Sequence, residues 1–305
     1  MEKLVLSVAV VTYNQEKYIS KTLDSILHQE HNYSYEIVIG DDCSTDGTRR
    51  IIEKYKERFP EIVKPIYNEV NLGFINNYYN VISHCRGEYI MECGGDDWWL
   101  QGKIQQQIER MNESNLGLCY GKAYCYDSDD KYIRENRGCE YESFQKLLQE
   151  NVIPSITACF RNDLFRKYIE EVKPLEQGWL MEDYPAWLWF SMNSKVFFMP
   201  SFLACYRCSE NSISRPVDKN KQILFLENTY RIRNFYAEKY GCDVKPVESD
   251  VVWKKLMFRV LLKSYDKVKA KYLQGVLVKE LSFEGIIKYI IISNKLFAKI
   301  VGCFL

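Results

Sequence analysis

Residues 6–13, LSVAVVTY, are rich in apolar and β-branched side chains, and the chain then turns polar at Asn14-Gln15-Glu16. Over 19–29 the apolar positions change period, with Leu23, Ile26 and Leu27 on one side of a helix. The same exchange recurs three times. Strand patterns at 36–42, 63–67 and 88–93 are each followed by a helix pattern, at 46–59, 76–85 and 101–112. Short strands alternating with amphipathic helices predict an α/β fold, a mostly parallel central sheet flanked by helices. Ligands of such sheets bind beyond the carboxyl ends of the strands, so chemistry is to be sought there.

Beyond residue 116 the rhythm loosens. A strand pattern at 116–126 leads into a polar loop over 127–150, a strand near 155–160 and a helix at 162–171. A further helix at 184–193 opens on Pro185, a favoured first helical residue, and strands follow at 195–200 and 203–207. From Asp218 onward the pattern is helical, broken near Gly241 and Gly275. The predicted organisation is one domain over 1–217, with halves 1–115 and 116–217, and a helical C-terminal extension over 218–305.

Composition narrows the class. With 305 residues, 47% hydrophobic and 27% charged, the chain can bury a sizeable core and is not of disordered type. No apolar run reaches the roughly 18–20 residues of a membrane-spanning helix. The opening MEKLVLSVAVV lacks a small-residue cleavage site and reads as the first strand. Eleven cysteines without regular spacing point to reduced thiols and a cytoplasmic protein. Cys205-Tyr206-Arg207-Cys208 is a lone CxxC, too little for a zinc site.

The net charge of zero hides an asymmetry. Residues 1–250 hold 30 basic against 38 acidic side chains, and residues 251–305 hold 11 against 3. Within 277–305, Ile286, Ile287, Ile290, Ile291, Phe297, Val301 and Phe304 recur at helical spacing, with Lys288, Lys295 and Lys299 grouped on one side. Such a basic amphipathic helix either packs on the domain or lies on an anionic membrane surface.

Three strand ends carry polar groups that a parallel sheet brings to one cleft. They are Thr12-Tyr13-Asn14, Asp41-Asp42 and Gly94-Gly95-Asp96-Asp97. No GxGxxG or GxxxxGK[ST] occurs, so a diphosphate would lack its usual glycine cradle and need a cation. Adjacent aspartates suit a hard divalent ion, although Gly-Gly-Asp-Asp also suits a plain turn after a strand. Farther on, Glu182 and Asp183 stand just before the helix opened by Pro185. The helix dipole explains one acid there, and a carboxylate in that place also suits general-base work.

Taken in order over roughly residues 4–210, VVTYNQEKYI, IGDDCSTDGT, GGDDWW and MEDYPAW resemble the family 2 glycosyltransferases of bacterial surface-polysaccharide type. Those enzymes share the nucleotide-sugar-binding GT-A fold. The resemblance implies inverting, metal-dependent transfer of a sugar from a UDP- or dTDP-sugar to a hydroxyl of a glycan or lipid-linked acceptor. It implies that Thr12, Tyr13, Asn14 and Asp42 hold the base and that Asp96 approaches the ribose or a metal-bound water. Asp97 would bind Mn²⁺ or Mg²⁺ on the diphosphate. Asp183 would deprotonate the acceptor, with Glu182, Trp98 and Trp99 on the acceptor side, although one of the two indoles is expected to anchor the following helix in the core.

The expected setting is the cytoplasm with no nucleic acid as partner, and a lipid-linked acceptor would give the membrane alternative for residues 277–305 a purpose at the inner face. Three departures stand out, the first being Gly94-Gly95 before Asp96-Asp97 where the family often has an acidic or small residue. Tyr78 occupies the place of a family arginine, and Tyr206-Arg207-Cys208-Ser209 lacks the histidine of the family's Tyr-Arg-x-His. These keep open a non-catalytic nucleotide- or glycan-binding relative. A sugar-nucleotide nucleotidyltransferase would want a glycine-rich basic loop where TYNQEKY stands.

Overall fold

The computed structural model describes residues 4–136, 138–208, 218–244 and 252–256. It divides into two compact units, Met1–Ser209 and Glu210–Leu305. Residues 277–305, expected to form a basic amphipathic helix, lie outside the described residues.

In the first unit the elements run β1 (Leu6–Thr12), α1 (Ile19–Leu27), β2 (Tyr35–Asp41), α2 (Thr48–Arg58), β3 (Val63–Tyr67), α3 (Phe74–His84), β4 (Tyr89–Gly94), β5 (Trp98–Trp99) and α4 (Lys103–Ser114). They continue as β6 (Leu118–Tyr126), β7 (Tyr132–Asn136), α5 (Phe144–Gln149), β8 (Cys159–Arg161), α6 (Asn162–Val172), α7 (Asp183–Asn193) and β9 (Val196–Arg207). One sheet takes the order β3-β2-β1-β4-β8-β6-β9-β5, with β7 paired to the outside of this path on β6. The strands β3, β2, β1 and β4 are parallel, as the alternating pattern predicts. Past β4 the sheet is mixed: β8 is antiparallel to β4 and β6, β9 runs parallel to β6, and β5 is antiparallel to β9.

Burial explains the first half. Leu6, Val8 and Val10 of β1 and Ile37 and Ile39 of β2 are fully buried, and Ile19, Leu23 and Ile26 of α1 close over them. The chain leaves β1 toward β2 on one side and later returns to place β4 on the other. The carboxyl ends of β1 and β4 therefore flank a switch point, where sheets of this kind take ligands.

The second half differs from the pattern in three places. The expected loop over 127–150 contains β7 and α5, both too short to impress a period. The expected strand near 155–160 is a 3-10 turn, Ser155–Thr157, followed by the three-residue β8. The two strands expected at 195–200 and 203–207 are one continuous β9, whose register against β6 shifts between Tyr120 and Lys122. Pro200 stands in the extra stretch. It has no N–H to give the ladder, so the pairing steps around it.

The second unit contains α8 (Lys219–Tyr240), capped by the Asp218 carboxylate on the Lys221 N–H at 2.9 Å and ended by Gly241 in the left-handed region. The break read at Gly241 is thus a helix C-terminus. Among the described residues no helix is long and apolar enough to cross a membrane, and every cysteine is a free thiol.

Candidate functional site

The loops after β1 and β2 are laced together. Asn14, at φ 53°, accepts the Thr45 N–H on its side-chain oxygen at 2.8 Å and donates its own N–H to Ser44 Oγ at 2.9 Å. The Gln15 N–H reaches Thr48 Oγ1 at 2.8 Å, and the Gly47 N–H reaches Glu16 at 2.6 Å. Ser44, Thr45 and Asp46 therefore serve local turns and the neighbouring loop, as their residue types suggest. Asp41 is fully buried and paired with Arg49 at 3.1 Å. Asp42 points the other way. Its Oδ1 accepts from the Leu72 N–H (2.8 Å) and Asn68 Nδ2 (3.0 Å), and its Oδ2 accepts from the Gly73 N–H (2.9 Å). One lone pair on Oδ2 is left over. Tyr13 is 47% exposed at the neighbouring strand end.

The turn after β4 is held from three sides. The Asp97 N–H closes it onto the Gly94 carbonyl at 3.1 Å, and the Gly95 N–H joins it to the Val11 carbonyl of β1 at 2.9 Å. Thr22 of α1 places its hydroxyl 2.6 Å from the Asp97 carbonyl and 3.0 Å from that of Gly95. Farther along, Ser25 of α1 and Gln29, just past its end, bond the backbone of Trp99 and Leu100. A Cβ on Gly95 would stand 2.4 Å from Gln15 Oε1 and 2.7 Å from Thr12, which explains the glycine.

Gly94 has a different reason. The point where its Cβ would stand lies 3.0 Å from Asp97 Oδ2 and 3.2 Å from Asp96 Oδ1, so both carboxylates converge on one corner. Burial pushes both carboxyls above the usual range, and the Asp96 charge raises Asp97 further. Like charges crowded in a dry corner are relieved by a cation or a proton. Among the described residues no three acidic, thiol or imidazole groups gather into a ready-made cage. An ion here would therefore need oxygen ligands from a substrate, the usual arrangement for Mg²⁺-type sites.

Glu182 and Asp183 stand half-buried at the start of α7. Asp183 accepts from the Tyr184 N–H at 2.6 Å and from Asn151 at 3.2 Å. Burial raises both carboxyls, and Asp183 and Glu92 raise Glu182 further. That coupling ties the start of α7 to β4, which carries Glu92. Glu92 is 6% exposed and takes the Tyr78 hydroxyl on Oε1; burial pushes it up to about 8.

The two indoles part company. Trp98 is half-buried under Lys21 Nζ, 3.4 Å from its ring centre, and beside Tyr126. Trp99 is 3% exposed in the hydrophobic core, beneath Lys103 at 4.4 Å. It anchors the start of α4 and presents no surface to an acceptor.

With the geometry in place, comparison with known proteins settles the lineage. The model of the family described as Glycosyl transferase family 2 matches residues 7–172. The chain belongs to glycosyl transferase family 2.

Several relatives are similar to it. An uncharacterized protein of Mycobacterium tuberculosis is 39% identical over 108 residues, a match that spans 35% of this chain and 31% of that one. The putative teichuronic acid biosynthesis glycosyltransferase TuaG of Bacillus subtilis is 29% identical over 70% of this chain and 82% of its own. The Escherichia coli enzyme WfgD, a UDP-Glc:alpha-D-GlcNAc-diphosphoundecaprenol beta-1,3-glucosyltransferase, is 25% identical over 70% of this chain and 81% of its own.

In fold, the chain resembles Staphylococcus aureus TarS in complex with UDP-GlcNAc, with TM-score 0.60 at 19% identity over 94% of this chain and 79% of that one. It also resembles the mannosyltransferase PcManGT of Pyrobaculum calidifontis in complex with GDP-Man and Mn²⁺, with TM-score 0.55 at 15% identity over 99% and 88%. The fold is thus the mixed α/β sheet of the GT-A glycosyltransferases. Tyr78, which stands where the resemblance expects an arginine, is 3% exposed and donates its hydroxyl to Glu92.

Two buried charges, Glu92 and Lys103, were not singled out by the sequence pattern, and Arg207 was noted only as part of the Tyr-Arg-x-His resemblance. Lys103 is fully buried, lowered to about 8 by burial, and held by Gln107 at 2.5 Å. Arg207 is 1% exposed. In the strands the signal was a charge at an inward position, between Met91 and Cys93 and two residues beyond Cys205.

Proposed function

We propose that the chain transfers a sugar, with inversion, from a UDP- or dTDP-sugar to a hydroxyl of a glycan or lipid-linked acceptor in cell-surface polysaccharide synthesis. The convergence of Asp96 and Asp97 on the Gly94 corner, beside the ends of β1 and β2, carries this reading. The names of TuaG and WfgD support the surface-glycan setting, and the ligands named with TarS and PcManGT support a nucleotide-sugar donor.

In this reading the free lone pair of Asp42 takes the N–H of a uracil or thymine ring, while Thr12, Tyr13 and Asn14 line the same slot. The loop 71–73, fastened to Asp42, closes the slot from the other side. Asp96 faces the ribose, held by the Gln15 amide. Asp97 is the protein's ligand for Mn²⁺ or Mg²⁺, whose charge would offset the repulsion between the two crowded carboxylates. The bound ion would act as a Lewis acid on the departing nucleoside diphosphate. Asp183 takes the acceptor proton, with Glu182 beside it and Trp98 along the edge of the cleft. The excess of positive charge over 251–305 supports, in this reading, contact of residues 277–305 with the cytoplasmic face of the membrane, where a lipid-linked acceptor would stand.

Product formation across a panel of UDP- and dTDP-sugars with Mn²⁺ tests the activity. Asp183→Asn is expected to lower kcat by about 10²–10⁴-fold with donor affinity retained. Equal turnover by both proteins would remove Asp183 from the role of base. A base works ionised, and burial raises Asp183, so activity should fall with pH through a value above the ordinary aspartate range. An acid limb at the ordinary value would contradict the buried base.

A further inference from the structure

The turn between β6 and β7 carries Asp127, Asp129 and Asp130, which sugar transfer as described does not use. It is tied to α1 and its approach: Lys17 Nζ and the Tyr18 hydroxyl donate to the Ser128 carbonyl at 3.1 and 3.2 Å, and Lys21 pairs with Asp130 at 3.1 Å. From β9, Arg207 Nη1 donates to the Asp127 carbonyl at 2.9 Å and Nη2 pairs with Asp130 at 2.7 Å. The same guanidinium donates through Nε to the Asp96 carbonyl at 2.9 Å, and the Arg207 backbone N–H donates to Asp97 Oδ1 at 2.7 Å. Its plane lies 4.1 Å over the Tyr18 ring, with the Trp98 ring at 5.1 Å.

One buried fork thus joins the acidic corner, the start of α1 and the β6–β7 turn. A guanidinium offers donors in fixed directions, and a lysine could satisfy only a share of these acceptors.

We propose that Arg207 is a positioning residue that holds the Asp96-Asp97 corner ready for a divalent cation, and that the 127–131 turn is the latch that holds Arg207 in place. This rests on the reading of Asp97 as the cation ligand. With Oδ1 engaged by the Arg207 N–H, Oδ2 is the oxygen left on the side of the Gly94 corner, next to Asp96 Oδ1. With its carbonyl tied by Nε, Asp96 cannot swing out of the turn. Asp130 is half-exposed and touches neither carboxylate, yet it completes the fork.

The test is Mn²⁺ binding by the full chain in the presence of UDP, read by electron paramagnetic resonance of free Mn²⁺. The proteins are wild type, Asp97→Asn, Arg207→Lys and Asp130→Asn, with the thermal unfolding midpoint of each. Asp97→Asn is expected to abolish the Mn²⁺ bound with UDP. Arg207→Lys should weaken it about tenfold, and Asp130→Asn about threefold at an unchanged unfolding midpoint. If Asp97→Asn binds Mn²⁺ as wild type does, the cation reading fails and the latch falls with it. If Asp97→Asn loses the ion while Asp130→Asn keeps wild-type affinity, the cation reading stands and the latch alone is overturned. Should Arg207→Lys not fold, Asp130→Asn carries the decision; a loss of Mn²⁺ affinity there that merely tracks a fall in unfolding midpoint also overturns the latch.

Discussion

Glu92 sits in a central strand where its neighbours Met91 and Cys93 are fully or nearly fully buried. Burial raises its carboxyl from 4.5 to about 8; the Tyr78 hydroxyl and Lys103 oppose that rise, and Asp183 adds to it. The folded protein therefore binds more protons than the unfolded chain between those two values. Stability falls as pH rises through that window. Glu92→Gln removes the slope, so its advantage over wild type should grow by roughly 3 kcal/mol from pH 5 to pH 8, measured by urea unfolding. Parallel stability curves for the two proteins would contradict a buried, neutral Glu92. The aspartates of the cleft were legible because adjacent pairs recur at two strand ends that a parallel sheet brings together, more than turn chemistry at either end requires. Glu92 was not, because a charge inside a strand pattern reads locally as a defect, and the sequence marked Arg207 only as part of a Tyr-Arg-x-His pattern, its acidic partners showing only in three dimensions.

At the scale of elements, β2 and α3 support Asp42 through a relay of amides. Asn77 of α3 donates to the Gly40 carbonyl at 2.9 Å and accepts from Asn68 at 3.0 Å, and Asn68 in turn donates to Asp42. Gly40 makes this approach feasible: a Cβ there would meet Val81 at 2.4 Å and Asn77 Oδ1 at 2.5 Å. Gly40→Ala should destabilise the fold by about 1–3 kcal/mol through overpacking and raise the donor KM as Asp42 loses its footing. Unchanged stability and KM would mean that α3 shifts freely, contrary to this packing. The elements β1 through β4 were legible to within two residues at most of their ends, since each strand is long enough to show its burial. The two-residue β5 and three-residue β8 lack that length, and Pro200 disguised one long strand as two.

For the whole molecule, local periodicity predicts which segments are strands but not their order, because pairing such as β4 with β8 depends on residues some seventy positions apart. The cleft was legible only on the assumption that β2, β1 and β4 are neighbours, which they are. The charge asymmetry belongs to this scale too. If residues 277–305 lie on an anionic surface, each lysine contributes about 1 kcal/mol there. The full chain should float with anionic vesicles and not with neutral ones, and the combined Lys288→Glu, Lys295→Glu and Lys299→Glu variant should stay behind. Equal flotation of variant and wild type would remove the membrane reading.

The central claim is that the Asp96-Asp97 corner receives the cation of a nucleotide-sugar donor. Anomalous scattering from crystals grown with UDP and Mn²⁺ tests it most directly. The account predicts a manganese peak about 2.1 Å from an Asp97 carboxylate oxygen, with the diphosphate on its far side. Bound UDP with the manganese peak away from Asp97, or with no manganese peak at all, would contradict it.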